Sequence, residues 1–246
     1  MKSATLGVRQ RAVQLFADAI VVRLHQGRAP LRARSHEGGR PQYGDCTLKV
    51  VHLCCRLEEV NRARSVGYGE RIQDPQFYAM GFLLYIAGLD TVANILTYSF
   101  KHLAENPGLR RMLIEKPEMI PDAVEEFLRF YSIATGARVV TKDTELGGVA
   151  MRAGDRIMYC TAAAGRDPEQ FPDPDTFVPD RTPNRHLAFG AGPHRCVGSH
   201  LARLELRIAL EEWHARIPDY RIPEGAEITE FVGSVAGLSA LPLEWD

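Results

Sequence analysis

A mainly α-helical fold with a small β region (α+β) is what this sequence predicts, on three observations. Apolar residues recur at helical spacing over several long segments. Over 137–160 the period shortens to strand-like runs, punctuated by Gly147-Gly148 and Ala153-Gly154-Asp155. A stretch rich in Pro and Asp, 167–185, then suits neither element. At 246 residues the chain is long enough for one large domain or two small ones.

Taken in order, residues 7–27 read as an amphipathic helix with Val13, Phe16, Ala17, Ile20, Val21 and Leu24 on one stripe. Residues 28–76 are arginine-rich, carry scattered glycines and hold no sustained period, so they read as irregular. Asp74-Pro75 offers an N-cap with Pro at the first helical position, and the helix that follows should run to about Glu105, stopped before Pro107. Shorter helices are predicted over 108–115 and from Pro121 to about Tyr131. Strand candidates fall at 137–140, 146–151 and 156–160, and a brief helix at 161–166. A last helix is predicted from Cys196, with Val197, Leu201, Leu204 and Ile208 on its apolar side, ending before Pro218. The tail over 220–245 carries further short strands, and no internal repeat is visible. Two segments follow from this pass: an atypical amino-terminal region, 1–76, and a core, 77–246.

Lys plus Arg number 30 against 31 for Asp plus Glu, so nothing suggests nucleic acid as a partner. Five cysteines at irregular spacing argue for a reducing, cytoplasmic compartment rather than a disulfide scaffold. His52 with Cys46, Cys54 and Cys55 matches no standard zinc set, and Cys160 reads as a packed thiol. The apolar run 80–100 imitates a membrane span, but its centre holds Asp90, Thr91 and Asn94, and a central Asp costs about 2.5–3.5 kcal/mol on insertion. A buried central helix with a polar site is the expectation, with no membrane partner.

The chemistry concentrates in Phe189-Gly190-Ala191-Gly192-Pro193-His194-Arg195-Cys196-Val197-Gly198. One cysteine ends a glycine-rich loop and begins a helix, whose positive end faces the negative charge a thiolate carries. Gly190, Gly192 and Gly198 let backbone approach the sulfur, and His194 and Arg195 add cationic or donor groups suited to an anionic cofactor edge. The competing reading is a buried structural cysteine, which does not need three glycines and a flanking base. Ala87-Gly88-Leu89-Asp90-Thr91 lies mid-helix, where glycine costs about 1 kcal/mol against Ala and so needs a reason. A carboxylate beside a hydroxyl suits proton delivery. The plain alternatives are Thr91 bonding a carbonyl one turn back and Asp90 pairing with a buried Arg. Glu126 and Arg129 place opposite charges three apart on one helix face, a pattern that many solvated helices share.

With these motifs in place, the chain resembles the cytochrome P450 family. From about residue 77 to 246 it looks like the carboxy-terminal half of a soluble bacterial member, similar to the camphor-hydroxylase branch: a truncated cytochrome P450 fold. The resemblance implies haem b with Cys196 as the thiolate ligand of the iron, an arrangement that promotes O–O cleavage. It implies that Phe189 and Gly198 border the haem and that Gly88 widens its helix to leave room for dioxygen. Thr91 resembles the hydroxyl that steadies the oxygen species, and Asp90 the carboxylate that relays protons. Arg138 and His194 match propionate-binding positions. Arg181 completes a Glu-Arg-Arg network with Glu126 and Arg129 that locks the Pro- and Asp-rich segment under the haem. The activity implied is a monooxygenase acting on a small apolar substrate with electrons from a ferredoxin-type donor. The alternative is a catalytically incomplete haem-binding remnant, and beyond it a structural protein with no cofactor.

Overall fold

A computed structural model describes residues 73–245. The predicted helix at 7–27, the irregular segment up to residue 72 and the cluster of His52, Cys46, Cys54 and Cys55 lie outside the described residues. Two compact units divide between Leu89 and Asp90. The helix α1, Asp74–Glu105, crosses this division. It begins at Asp74 and stops before Pro107, where the sequence places its ends.

In the first unit α1 exposes Phe82, Leu83, Leu84, Tyr85, Ile86 and Leu89. The sequence predicts a buried helix here, and the structure corrects that: burial starts only at Val92. Apolar composition shows that a helix can be enclosed, not which of its turns a core encloses. By length and composition α1 could also cross a membrane, a test that core helices pass as well.

The second unit is built around the carboxy-terminal half of α1. Val92, Ile95, Leu96, Phe100 and Leu103 recur every three to four residues and form the centre of its apolar core. Helix α2, Pro107–Glu115, starts on a proline in its first turn and contributes Leu113. Helix α3, Ile120–Phe130, stacks Ile120, Val124 and Phe127 on one face, with Asp122 in its first turn and Arg129 in its last, each complementing the helix dipole. Each such buried Leu or Phe is worth about 1.5–3 kcal/mol over leaving it in water.

The β region is three small antiparallel pairs. β1, Thr135–Val139, pairs with β4, Arg156–Cys160, so that Thr135 faces Cys160 and Val139 faces Arg156. Between them β2, Thr144–Leu146, and β3, Val149–Met151, form a hairpin. The sequence reads 146–151 as one strand; Gly147 and Gly148, at φ 58 and 79°, instead turn the chain back on itself. β5, Glu230–Phe231, pairs with β6, Gly237–Leu238, in the tail. Cys160 is exposed rather than packed, because the β1–β4 ribbon has only two strands and leaves that residue uncovered.

Helix α4, Thr161–Gly165, follows β4 directly. A Cβ on Gly165 would lie 2.5 Å from the Arg129 carbonyl oxygen, a backbone atom that cannot swing away. Gly165→Ala should therefore cost about 1–3 kcal/mol, read as a lowered urea midpoint; an unchanged midpoint would refute the packing argument.

Helix α5, Ser199–Arg216, begins three residues later than Cys196, with Gly198 at its N-cap. It buries Leu206, Ile208, Leu210 and Trp213, and Trp213 stacks against Phe100 at 4.9 Å between centroids. Of the four apolar residues that the sequence places on one side here, Ile208 is buried, whereas Val197, Leu201 and Leu204 are exposed.

Candidate functional site

The segment before α5 is a loop closed by its own backbone. Gly190 N–H donates to Leu187 O at 2.8 Å, Arg195 N–H to Gly192 O at 3.0 Å and Cys196 N–H to Phe189 O at 2.8 Å. Gly190 and Gly192 adopt φ of 66 and 65°, the left-handed region, which a β-carbon would strain. A short 3-10 turn, Gly192–His194, lies between them and the cysteine. The Cys196 N–H is thus spent on Phe189, while the side chain is left exposed. His194 and Arg195 are exposed beside it, and Phe189 is half-buried against the core. An exposed thiol in a tightly closed loop is not a buried structural cysteine.

Beside the thiol runs an apolar stripe. Val197, Leu201 and Leu204 are 85%, 57% and 45% exposed; Leu201 and Leu204, three apart on α5, share a helix face, and Val197 lies in the turn just before it. A soluble surface rarely gathers apolar side chains around a reactive group without a ligand to cover them. A flat apolar macrocycle carrying a soft-ligand metal fits this donor set: one sulfur to the metal, aliphatic carbons to the ring, and His194 and Arg195 for an acidic edge. The residues present therefore fit haem.

The polar network ties α3 to the irregular segment that precedes the loop. Glu126 and Arg129, both 0% exposed on α3, form a forked pair, with Arg129 Nε to Oε2 and Nη2 to Oε1, both at 2.7 Å. The remaining N–H groups of Arg129 go to Gly165 O at 2.6 Å, Pro174 O at 2.8 Å and Thr176 O at 3.2 Å. Arg181 Nε reaches both carboxylate oxygens at 3.1 and 3.2 Å, and its other nitrogens bond the carbonyls of Pro172, Asp173 and Thr176. The structure thus brings Glu126, Arg129 and Arg181 together, and through them ties the irregular segment to α3. Sequence reading missed two members: Val178 N–H donates to Glu126 Oε1 at 2.9 Å and Asn184 Nδ2 to Oε2 at 3.1 Å. Neither residue type at that spacing announces such a role.

Sequence reading treats His186 as an ordinary residue and passes over Glu125 and Arg203. Arg203 on α5 forks onto Glu125 at 2.5 and 2.9 Å, and His186 Nε2 lies 3.0 Å from the same carboxylate. One signal was available: two adjacent acids, Glu125-Glu126, on a helix that is otherwise apolar there.

Burial raises both carboxyls, but hydrogen bonds and charges outweigh it. His186 and Arg203 hold Glu125 down at about 2, and Arg129, Val178 N–H and Arg181 hold Glu126 below its ordinary 4.5. A depressed folded value means stability that is present above pH 4.5 and lost as the pH falls through the folded value. Glu205 acts in the opposite sense: burial pushes it up to about 7, so its contribution is present below 4.5 and lost as the pH rises through 7. The urea midpoint should accordingly drop steeply between about pH 4.5 and 2. A flat profile across that window would contradict the network as described.

The other predicted residues are placed less tightly. Arg138, on β1, is exposed and engaged on its own ribbon, with Nη1 bonding Ala137 O at 2.8 Å and Tyr159 Oη at 3.4 Å and the guanidinium stacking on the Tyr159 ring at 5.1 Å. Asp90 is exposed and Thr91 half-buried on consecutive positions of α1. Gly88 lies in the first unit, and a Cβ there would meet no atom within 4 Å among the described residues.

A family model described as Cytochrome P450 matches residues 8–213, starting upstream of residue 77 where the resemblance was read to begin. The chain is 42% identical over 177 residues to a probable cytochrome P450 127A1 of Sinorhizobium fredii, covering 72% of this chain and 43% of that protein. It is 38% identical over 178 residues to a mycinamicin IV hydroxylase/epoxidase of Micromonospora griseorubida, covering 71% and 44%. Among solved structures, CYP101J2 superposes with a TM-score of 0.73 at 30% identity, covering 97% of this chain and 70% of that one. CYP109E1 of Bacillus megaterium, solved with testosterone, gives 0.71 at 29% identity, covering 95% and 64%. The chain spans about half the length of the curated relatives it matches.

Proposed function

The chain belongs to the cytochrome P450 family, and on that premise we propose that it is a haem-thiolate monooxygenase acting in the cytoplasm on a small apolar substrate. The observation that carries the proposal is the exposed Cys196 thiol in its closed loop, beside the uncovered stripe of Val197, Leu201 and Leu204. Haem b, when bound, supplies the iron chemistry that activates dioxygen. One oxygen atom enters a C–H bond of the substrate and the other leaves as water, taking up two protons and two electrons. The electrons come from a ferredoxin-type donor.

This chain's own residues orient the cofactor and manage protons. The Cys196 Sγ would ligate the iron, and Phe189, Gly198 and the aliphatic stripe would lie against the ring. Arg138 and His194 hold the propionates, since buried carboxylates require cationic or donor partners. The Arg138 side chain must leave its present bonds to Ala137 and Tyr159 to do so. On α1, Gly88 would leave room for dioxygen, the Thr91 hydroxyl would hold a proton for delivery and the Asp90 carboxylate would pass protons in from solvent.

A second reading, a haem binder that is catalytically incomplete, is favoured by the exposure of Phe82, Leu83, Leu84, Tyr85, Ile86 and Leu89 on the helix that carries Gly88. Water at that surface would divert electrons away from the substrate. Hemin added to the purified chain decides between the readings. A thiolate-type Soret band in the reduced, carbon-monoxide-bound form, followed by product with a ferredoxin and its reductase, supports the monooxygenase. The band without product supports the remnant, and a chain that stays colourless removes both.

A further inference from the structure

We propose that Arg203, held by Glu125, is a positioning residue that clamps the Cys196 loop at both of its ends. The proposal rests on the reading of Cys196 as the haem ligand and goes beyond the Glu126 network, with which it shares no side chain.

Phe189 opens the loop and Ser199 closes it. The Arg203 guanidinium lies 4.6 Å from the centre of the Phe189 ring, and its Nη1 donates to Ser199 O at 3.3 Å. Its Nε and Nη2 are at the same time forked onto Glu125 at 2.5 and 2.9 Å. One planar group therefore stacks on the residue where the loop starts, bonds the backbone where it ends and is anchored to a third segment, α3. Phe189 is also the residue whose carbonyl accepts the Cys196 N–H. Displacing its ring loosens the bond that sets the direction of the thiol. Lysine cannot replace this arrangement, because a single ammonium lacks the plane and the fork.

His186 supports the same carboxylate from the segment leading into the loop. Ala188 N–H donates to its Nδ1 at 3.2 Å, so that nitrogen carries no proton. The ring proton is therefore on Nε2, which donates to Glu125 Oε2 at 3.0 Å. The Glu125 carboxylate is held by α5 and by the approach to the loop together, and with its pKa near 2 it stays ionised throughout the neutral range.

The test is hydrogen exchange of the haem-free chain, resolved to the segment 187–198. Arg203→Met and Glu125→Gln should each speed exchange there by about tenfold, as expected for losing charged hydrogen bonds that hold a local opening shut. Arg203→Lys should fall between these variants and the parent chain. The buried part of α5, 206–213, should stay within about twofold in all of them. Arg207→Met, one turn further along α5, should leave the loop unchanged. Exchange that stays constant in the loop, or that rises equally in the loop and in 206–213, overturns the clamp; a purely structural role predicts the second pattern. Glu125→Gln keeps the shape of the side chain, so it remains informative if Arg203→Met fails to fold. Hemin titration of the parent chain separates the two proposals. Loosened loops without any thiolate-type band leave the clamp standing and remove the haem reading, whereas a band with unmoved loops does the reverse.

Discussion

Glu126→Ala is expected to destabilise the chain by about 3–5 kcal/mol, a large fraction of the 5–15 kcal/mol that holds a native protein together. The cost comes from what the substitution leaves behind. Arg129 is fully buried and the Arg181 side chain nearly so, and both would keep a positive charge with no carboxylate within reach. Val178 N–H and Asn184 Nδ2 would lose their acceptor as well. The loss would spread along the Pro- and Asp-rich segment, whose carbonyls at Pro172, Asp173, Pro174 and Thr176 accept bonds from the two guanidiniums. Replacing Glu126 and Arg129 together by Leu and Met should cost less than the sum of the two single changes, because only Arg181 is then left without its carboxylate, rather than two buried guanidiniums. Urea unfolding followed by circular dichroism measures this, and a single-variant loss under about 1 kcal/mol would show that the network does not carry the load assigned to it.

Cys196→Ala should have the opposite profile, with an unchanged fold and a lost signature. The side chain is exposed, and the residue's bonds to Phe189 and Ser199 run through its backbone. Its stability effect should stay within about 0.5 kcal/mol, as for surface positions generally. With hemin supplied, the reduced, carbon-monoxide-bound chain should lose its thiolate-type Soret band completely, since no other group on the loop is a soft anionic ligand. Of the described cysteines Cys160 is the other candidate thiol, and Cys160→Ala should leave the band intact. A band that survives Cys196→Ala, or that vanishes with Cys160→Ala, would move the ligand elsewhere. The two variants, Glu126→Ala and Cys196→Ala, thus separate what holds the Pro- and Asp-rich segment in place from what the loop presents.

Much of this was legible in the residues. The ends of α1, α2, α3 and α4 are punctuated by Pro75, Pro107, Pro121 and the strand-to-helix change at Cys160, all local effects of backbone sterics. The glycine-rich loop was legible as well, although the sequence suggested close backbone approach to the sulfur and the structure shows Gly190 and Gly192 in left-handed conformation. Errors arose where burial decided. Cys160 was left uncovered on a two-stranded ribbon and the first half of α1 exposed, whereas the split of 146–151 into a hairpin is local, set by two glycines at positive φ. Periodicity identifies which residues share a face; it carries no information on whether that face meets a core or a ligand.

The sequence by itself determined where α1 to α4 start and stop, which cysteine ends a glycine-rich loop, and which family that loop resembles, because each of these depends on residues adjacent in the chain. Only the tertiary structure decided how the charges are shared. Glu126 collects Arg129, Arg181, Val178 and Asn184, while its neighbour Glu125 collects His186 and Arg203. Side chains some 50 to 80 positions apart meet there, and a charge finds its partner by distance in space, which the order of residues does not encode.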